Sequence, residues 1–490
     1  MDKITVQGMN FLDEHGRERI FTGMNIVDKG NFGDGKYTFS FKIDDELLTK
    51  YKALGFNIIR LGFSWGAMEP APGKYNDVFL DEIEKIVDRC ARHGIYIFFD
   101  SHQDCYSNFC HNTASGAPEW ACLIDGLKPT TAKLVWAEGY FISKTVHRAF
   151  DSFWDNREYK GKGLQDYYAD MWAHVAERFK DKSNLFGFDY FNEPYPGKAG
   201  GKLFKQMIGN LVKVTLKDRR VKKGQMIKDA LQKDRRVHVL DQYPGDVFND
   251  IISVGEPIIK EFDTKRYTPF LNRMTKALRR VTQNGIVFVD NCYYSNLGIP
   301  CHNEPITVDG KREAQQCFSP HGYDLMVDTP AYEYASDSRV GALFEEHRRT
   351  QKRLNMPCLV GEWGGDAPGT KWLPHVGFLL NTFAKNKWSH TYWHFNYNHF
   401  EAPLMDVLSR PYPRAVTGVI DEYKYDMQAK EFSLNFTQEK DFDLPSVIYV
   451  KSKPKKITLN GEEIECEFKE ATGDIEIKTK AGEHEIKVQL

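Results

Sequence analysis

The chain has 490 residues, 66 Lys and Arg against 68 Asp and Glu, with 41% hydrophobic and 13% aromatic residues. That apolar content excludes a disordered chain, and a net charge of -2 offers no global attraction for nucleic acid, whose affinity rests largely on phosphate neutralisation. No apolar run reaches the roughly 18 residues that span a bilayer, and the length exceeds one ordinary core unless a barrel carries insertions. The 33 Phe, 24 Tyr and 9 Trp supply more flat amphipathic surface than a core requires, as sugar-binding proteins often do.

Met1 to Thr5 enters strand-like alternation with neither a basic n-region nor an apolar h-region. No secretory signal is read there. The expected location is cytoplasmic, or secreted if the chain is a trimmed mature form. Nine cysteines form no CxxC pair, which fits reduced thiols. Cys105, Cys110 and His111, like Cys301 and His302, lack the two-pair spacing of a zinc site, so neither metal nor cofactor is expected.

Ile4 to Asn10 and Arg19 to Met24 flank Asp13-Glu14-His15-Gly16, a hairpin signal. Eight short apolar runs follow in chain order: 21–25, 56–63, 95–100, 185–191, 286–290, 317–321, 358–362 and 389–395. Continuous rather than alternating apolar runs suit parallel strands buried on both faces. Helical patterns lie between them, such as 77–93 with its stop at Gly94, and 165–179. Eight strand–helix repeats predict an α/β fold, a closed (β/α)8 barrel over residues 1–415. From 416 to 490 the pattern changes to short strands with turns at Asn460-Gly461 and Thr472-Gly473, predicting an antiparallel β-sandwich.

Two insertions interrupt the barrel. Residues 104–160 carry Trp120, Trp136, Tyr140, Phe141, Phe150, Phe153 and Trp154. Trp120 reads equally as core or as a contact for a substrate's aglycone. Residues 198–236 carry 13 Lys and Arg against three Asp. A run such as Lys217 to Lys223 reads first as a solvated face and second as a contact for anionic lipid.

In a parallel barrel the C-terminal strand ends point into the catalytic mouth. Those ends hold Arg60, Asp100-Ser101-His102, Asn192-Glu193-Pro194, His321-Gly322-Tyr323, Glu362-Trp363 and Trp393. Two carboxylates on opposite rim positions are the equipment of glycoside hydrolysis, one protonating the leaving oxygen and one attacking or activating water. No GxSxG elbow, HExxH helix or Walker loop competes.

Arg60, His102, Asn192-Glu193-Pro194, His321-x-Tyr323, Glu362 and Trp393, in that order, resemble glycoside hydrolase family 5 of clan A. The resemblance implies a retaining β-glycosidase with Glu193 as acid/base and Glu362 as nucleophile. It assigns Asn192 to the sugar 2-hydroxyl, Tyr323 to orienting the nucleophile and Trp393 to a platform under the sugar. Arg60 would bind a carboxylate near the floor. Arg60 and His102 serve equally well as a buried network supporting the nucleophile, and His321 is also counted as site support. Residues 100–104 (DSHQD), 116–121 (GAPEWA) and 410–415 (RPYPRA), with the terminal sandwich, are similar to the endoglycoceramidase branch. That likeness implies a glycosphingolipid or another β-glycoside with a hydrophobic aglycone as substrate, steryl glucosides included, with Lys29, Asp100 and His102 as sugar contacts. It also leaves room for peripheral contact with a lipid surface. A cellulase- or mannanase-like polysaccharide hydrolase and a sugar- or lipid-binding pseudoenzyme are the alternatives. An apolar groove leading away from Glu193 would favour the lipid reading.

Overall fold

The computed structural model describes residues 1–33, 36–38, 41–133 and 135–490. Eight parallel strands form the barrel: β1 (Thr22–Asp28), β2 (Ile58–Phe63), β3 (Tyr96–Ser101), β4 (Leu185–Asp189), β5 (Ile286–Asp290), β6 (Gln316–Ser319), β7 (Leu359–Val360) and β8 (Ser389–Tyr392). From β1 to β6 each pairs with its sequence neighbour, β7 pairs with β8, and β8 returns to β1 with His390 opposite Thr22. Between β6 and β7 the ring is held by a bridge from Phe318 to Cys358, and by His321–Gly322 pairing with Glu362–Trp363. All eight apolar runs of the sequence are therefore barrel strands. Their burial on both faces explains why they read as continuous. At Gly23 a Cβ would lie 1.8 Å from the Ile58 carbonyl oxygen, so only glycine permits β1 and β2 to approach this closely.

The surrounding helices follow the same logic. α1 (Asp45–Ala53) follows β1, and α2 (Asp77–Arg92) follows β2. In α2 the Asn76 side chain accepts from the Phe79 N–H, and Phe79, Leu80, Ile83, Ile86, Val87 and Cys90 form one buried stripe. Each such side chain contributes about 1.5–3 kcal/mol on burial. The 104–160 insertion folds as α3 (Glu138–Ile142) and α4 (Lys144–Trp154), ahead of the barrel helix α5 (Leu164–Phe179). The basic insertion is α6 (Lys198–Lys217) and α7 (Lys223–Leu231), followed by α8 (Gly245–Ile252). The barrel continues through α9 (Thr268–Arg279), α10 (Asp337–Leu354) and α11 (Leu373–Asn386). Strand–helix alternation lapses after β5, where a single 3₁₀ turn (Tyr293–Leu297) replaces the helix. Among the described residues no helix is long and apolar enough to cross a membrane.

The C-terminal residues form two antiparallel sheets. One has five strands, including Val419–Asp426, Glu431–Gln438 and Gly482–Gln489. The other has seven, and three of these, Thr5–Gln7, Asn10–Leu12 and Glu18–Arg19, come from the N-terminus. The N-terminus makes two consecutive hairpins: Val6 pairs with Phe11 across a turn at Gly8-Met9, and Phe11 pairs with Arg19 across the expected turn at residues 13–16. That register drives Phe11 into the barrel floor, 5.3 Å from the Phe186 ring and 5.8 Å from Phe21. The Tyr412 hydroxyl donates to Gly55 O at 2.6 Å and the Tyr449 hydroxyl to Ala53 O at 3.0 Å, so the sandwich is tied to the end of α1.

Candidate active site

The site is built on a buried cation. Arg60, central in β2 and with no exposed surface, donates to Glu362 Oε1 at 2.6 Å, Asn25 Oδ1 at 3.0 Å, Asn192 Oδ1 at 3.0 Å and Asp189 Oδ2 at 2.8 Å. It also pairs with Asp100 Oδ1 at 3.0 Å. A charge removed from water persists only with such partners, so Arg60 fixes the positions of everything around it.

Glu193 lies beyond the end of β4 with φ of 45°, a left-handed backbone that costs a non-glycine residue about 1–2 kcal/mol. Its N–H donates to Asp290 Oδ2 at 2.8 Å. The Gln103 amide donates to the carbonyls of Asn192 and Glu193 at 2.8 and 3.1 Å. These bonds hold the turn and aim the carboxyl group inward. There Oε1 accepts from Asn296 Nδ2 at 2.6 Å and lies 3.0 Å from His321 Nδ1. Glu362, on the short strand after β7, accepts from Arg60 at Oε1 and from the Tyr323 hydroxyl at Oε2, 3.0 Å away. An oxygen of Glu193, a nitrogen of His321 and an oxygen of Glu362 all lie within 4.8 Å of one another.

Burial dominates the titration of both acids, each less than a tenth exposed. Desolvation pushes Glu193 up to about 8, helped by the negative charge of Asp104 and opposed by Arg60, the Asn296 hydrogen bond and Lys29. Desolvation pushes Glu362 up to about 7, opposed by His321 and Arg60. Both acids therefore titrate well above the ordinary carboxylate range. Burial pulls His321 down to about 4, so its ring is neutral and either donates Nδ1–H to a Glu193 carboxylate or accepts from its acid form. The same three side chains present a donor set able to hold a cation, although their atoms are engaged with one another, Arg60 and Tyr323.

Around this pair the sequence-expected residues take distinct places. The Trp393 ring lies parallel to His102, with centroids 5.1 Å apart and an interplanar angle of 10°. Lys29 pairs with Asp104 and sits 5.7 Å from the Trp393 ring centre. Asn192 donates to Gln103 O at 3.1 Å while receiving from Arg60, which fixes its amide. Asp100 has no exposed surface and lies between Arg60 and His102, whose Nδ1 is 2.8 Å from Asp100 Oδ2. It is thus placed behind the rim rather than on it. Trp120 is packed under the insertion, donating to Glu69 O at 3.2 Å and set edge-on to Trp65 at 5.4 Å. Sequence reasoning did not single out Asn25, Asp104, Asp189, Asp290 or Asn296. Asp290 closes an apolar strand as Asp100 does, a usable signal, whereas Asn296 sits in a turn with none.

From Glu193 a row of half-buried aromatic rings leads outward. Tyr293 N–H donates to Pro194 O at 3.0 Å, the Tyr293 ring is 6.2 Å from Phe141, and Phe141 stacks on Phe204 of α6 at 4.6 Å.

A barrel with two carboxyl groups facing each other at its C-terminal mouth, beside an aromatic platform, defines the class of the clan-type glycosidase barrels. Residues 12–399 match Cellulase (glycosyl hydrolase family 5), and residues 410–489 match the glycoside hydrolase family 5 C-terminal domain. The chain belongs to glycosyl hydrolase family 5. Over 216 residues it is 33% identical to an endoglycoceramidase of Hydra vulgaris, covering 38% of this chain and 40% of that one. Over 455 residues it is 24% identical to endoglycoceramidase I of Rhodococcus hoagii (strain 103S), covering 89% and 77%. The chain spans about two fifths of the length of the Hydra vulgaris and Cyanea nozakii relatives it matches. Its fold is shared with endo-glycoceramidase II from Rhodococcus sp., with a TM-score of 0.74, 24% identity and 99% of each chain covered.

Proposed function

We propose that the protein is a retaining β-glycosidase that cleaves the bond between a sugar and a hydrophobic aglycone, with glycosphingolipids as the preferred substrate class. One observation carries this reading: the closely spaced Glu193 and Glu362 stand at the start of the aromatic row Tyr293, Phe141 and Phe204. Oxygens within 4.8 Å fit the retaining spacing of about 5–5.5 Å and fall short of the roughly 6.5–9.5 Å that an inverting water needs. Relatives named endoglycoceramidase and glucosylceramidase support the lipid aglycone.

In the mechanism, Glu362 attacks the anomeric carbon while Glu193 gives its proton to the leaving oxygen. A glycosyl-enzyme and the free aglycone result. Glu193, now a carboxylate, takes a proton from water, and the resulting nucleophile releases the sugar and restores Glu362. Arg60 and Tyr323 hold the two Glu362 oxygens in place, and Asn192 stands ready for the 2-hydroxyl. Trp393, His102 and Lys29 form one wall, a flat face with a cation beside it that suits a hydroxylated ring.

A lipid-borne substrate implies peripheral contact with a lipid surface, which we include in the function. Nine unpaired cysteines support a reducing, cytoplasmic setting. The test is hydrolysis of glucosylceramide, lactosylceramide, steryl glucoside and cello-oligosaccharides side by side. Turnover of a lipid glycoside, lost in both Glu193→Gln and Glu362→Gln, is the expected result. Turnover of cello-oligosaccharides alone would refute the lipid reading, and no turnover by the wild type would leave a binding protein.

A further inference from the structure

The basic insertion has a second face that the barrel does not use. On α6 the side chains of Leu203, Phe204, Met207, Leu211 and Val214 pack toward the core. On the other side, Ile208, Val212 and Leu216 are 47%, 54% and 65% exposed, and their spacing of four places them on one stripe. The helix that follows repeats this. Ile227 and Leu231 of α7, again four apart, are 56% and 77% exposed. The Tyr243 hydroxyl joins the two helices, meeting Thr215 Oγ1 at 2.8 Å and Met226 Sδ at 3.4 Å, so Leu216 and Ile227 each adjoin a residue on the same anchor. Five large aliphatic side chains exposed on one small two-helix unit exceed the scattered exposure ordinary for a monomer surface.

The charges around them are selective. Arg220 is held by Asp218, Asp246 and Asp250, and Arg235 by Asp229. By contrast, Lys205, Lys213, Lys217, Lys222 and Lys228 have no ion pair among the described residues, and α6 carries no acidic residue. Arg220 and Arg235 are neutralised within the fold, while these lysines, like Arg219 and Arg236, carry no ion pair among the described residues. Flexible lysines bordering exposed aliphatic side chains match a surface whose negative headgroups overlie an apolar layer. The stripe is also continuous with the site: Phe204, at the outer end of the aromatic row from Glu193, is one helical turn from Ile208.

We infer that α6 and α7 form a docking platform for an anionic lipid bilayer, inserting Ile208, Val212, Leu216, Ile227 and Leu231 while the lysines meet the headgroups. The platform sets the mouth of the aromatic row against the membrane, so an aglycone can pass from lipid to Glu193 without crossing water. This rests on reading the substrate as lipid-borne, but its test does not.

The experiment is co-sedimentation of the full chain with vesicles free of glycolipid. One set is phosphatidylcholine alone and the other holds about one third phosphatidylserine. Binding is expected to the second set and to be at least about tenfold weaker to the first. Lys205→Glu/Lys213→Glu/Lys217→Glu should lower the partition coefficient at least about tenfold, given roughly fivefold per lysine near such a surface. Val212→Ser/Leu216→Ser/Ile227→Ser should do the same. Both variants should keep wild-type rates on a water-soluble aryl β-glycoside, which shows that they fold. Equal binding by wild type and variants, no binding by wild type, or equal affinity for both vesicle types would overturn the inference. So would a concentration-dependent dimer, seen by sedimentation velocity, that the serine variant abolishes, because the face would then join two copies. Vesicle binding by a chain that hydrolyses no lipid glycoside would sink the functional proposal and leave the platform standing.

Discussion

Asn296 Nδ2 donates to Glu193 Oε1 across 2.6 Å, on the oxygen that also faces His321. The bond favours the charged carboxylate, so it draws the Glu193 pKa downward against the larger upward push of burial. Asn296→Ala removes that restraint. The basic limb of the pH–rate profile should move to higher pH, and kcat should fall about tenfold or more as the carboxyl loses its aim. Asn296→Asp should be worse, since a second carboxylate at this distance repels the Glu193 anion. A variant profile that superimposes on the wild type would assign Asn296 to structure alone.

The two glutamates also set the wild-type profile. Attack needs Glu362 ionised and departure needs Glu193 protonated. Activity should therefore rise as pH climbs through about 7, where Glu362 deprotonates, and fall past about 8, where Glu193 does. Because the acids interact, the two limbs report the pair rather than either residue alone. Measuring kcat/KM from pH 5 to 10 checks this, and a profile falling steadily from pH 5 would mean that burial does not raise the two acids to these values.

The strands were legible in the sequence because a barrel buries both faces of each one, which leaves apolar runs with no alternation to mislead. Val419–Asp426 escaped the same reading. Half of its sequence VIDEYKYD is charged and only Ile420 and Tyr423 are buried, so the strand is held by backbone pairing to Glu431–Gln438 rather than by apolar content. The turn at Asp13-Glu14-His15-Gly16 was legible and joins Asn10–Leu12 to Glu18–Arg19, whereas the second turn at Gly8-Met9, inside the run read as a single strand from Ile4 to Asn10, was not. What decides the register is Phe11 filling the barrel floor, a contact distant in sequence. Among site residues, those at strand ends could be found because the fold fixes where strand ends point. Asn296 and Asp104 come from loops whose path depends on packing, and Asp100 has the expected strand position with its carboxylate held between Arg60 and His102.

Arg60 supports a prediction about stability. It is enclosed by Asp100, Asp189 and Glu362 with two asparagines, so removing it leaves buried negative charge without a partner. Arg60→Met should lower the unfolding free energy by about 3–5 kcal/mol in urea titration. Arg60→Lys should recover little, because one ammonium group cannot bond Glu362, Asn192 and Asp189 in the planar geometry the guanidinium uses. A loss of less than about 1 kcal/mol in Arg60→Met would mean that the acids take up protons instead of depending on the cation.

The aromatic row makes a prediction that separates aglycone from sugar. Phe141 stacks on Phe204 at 4.6 Å and lies 6.2 Å from Tyr293, but no hydrogen bond from it reaches Glu193, Glu362 or Arg60. Phe141→Ala shortens the apolar path and leaves the catalytic pair untouched. Losing one aromatic face is worth about 0.5–1.5 kcal/mol beyond its area, so kcat/KM for a lipid glycoside should fall about tenfold, mainly through KM. The same variant should hydrolyse an aryl β-glycoside at the wild-type rate, because a small aglycone ends before reaching Phe141. Equal losses on both substrates would place Phe141 in support of the barrel mouth, and the lipid would need another exit.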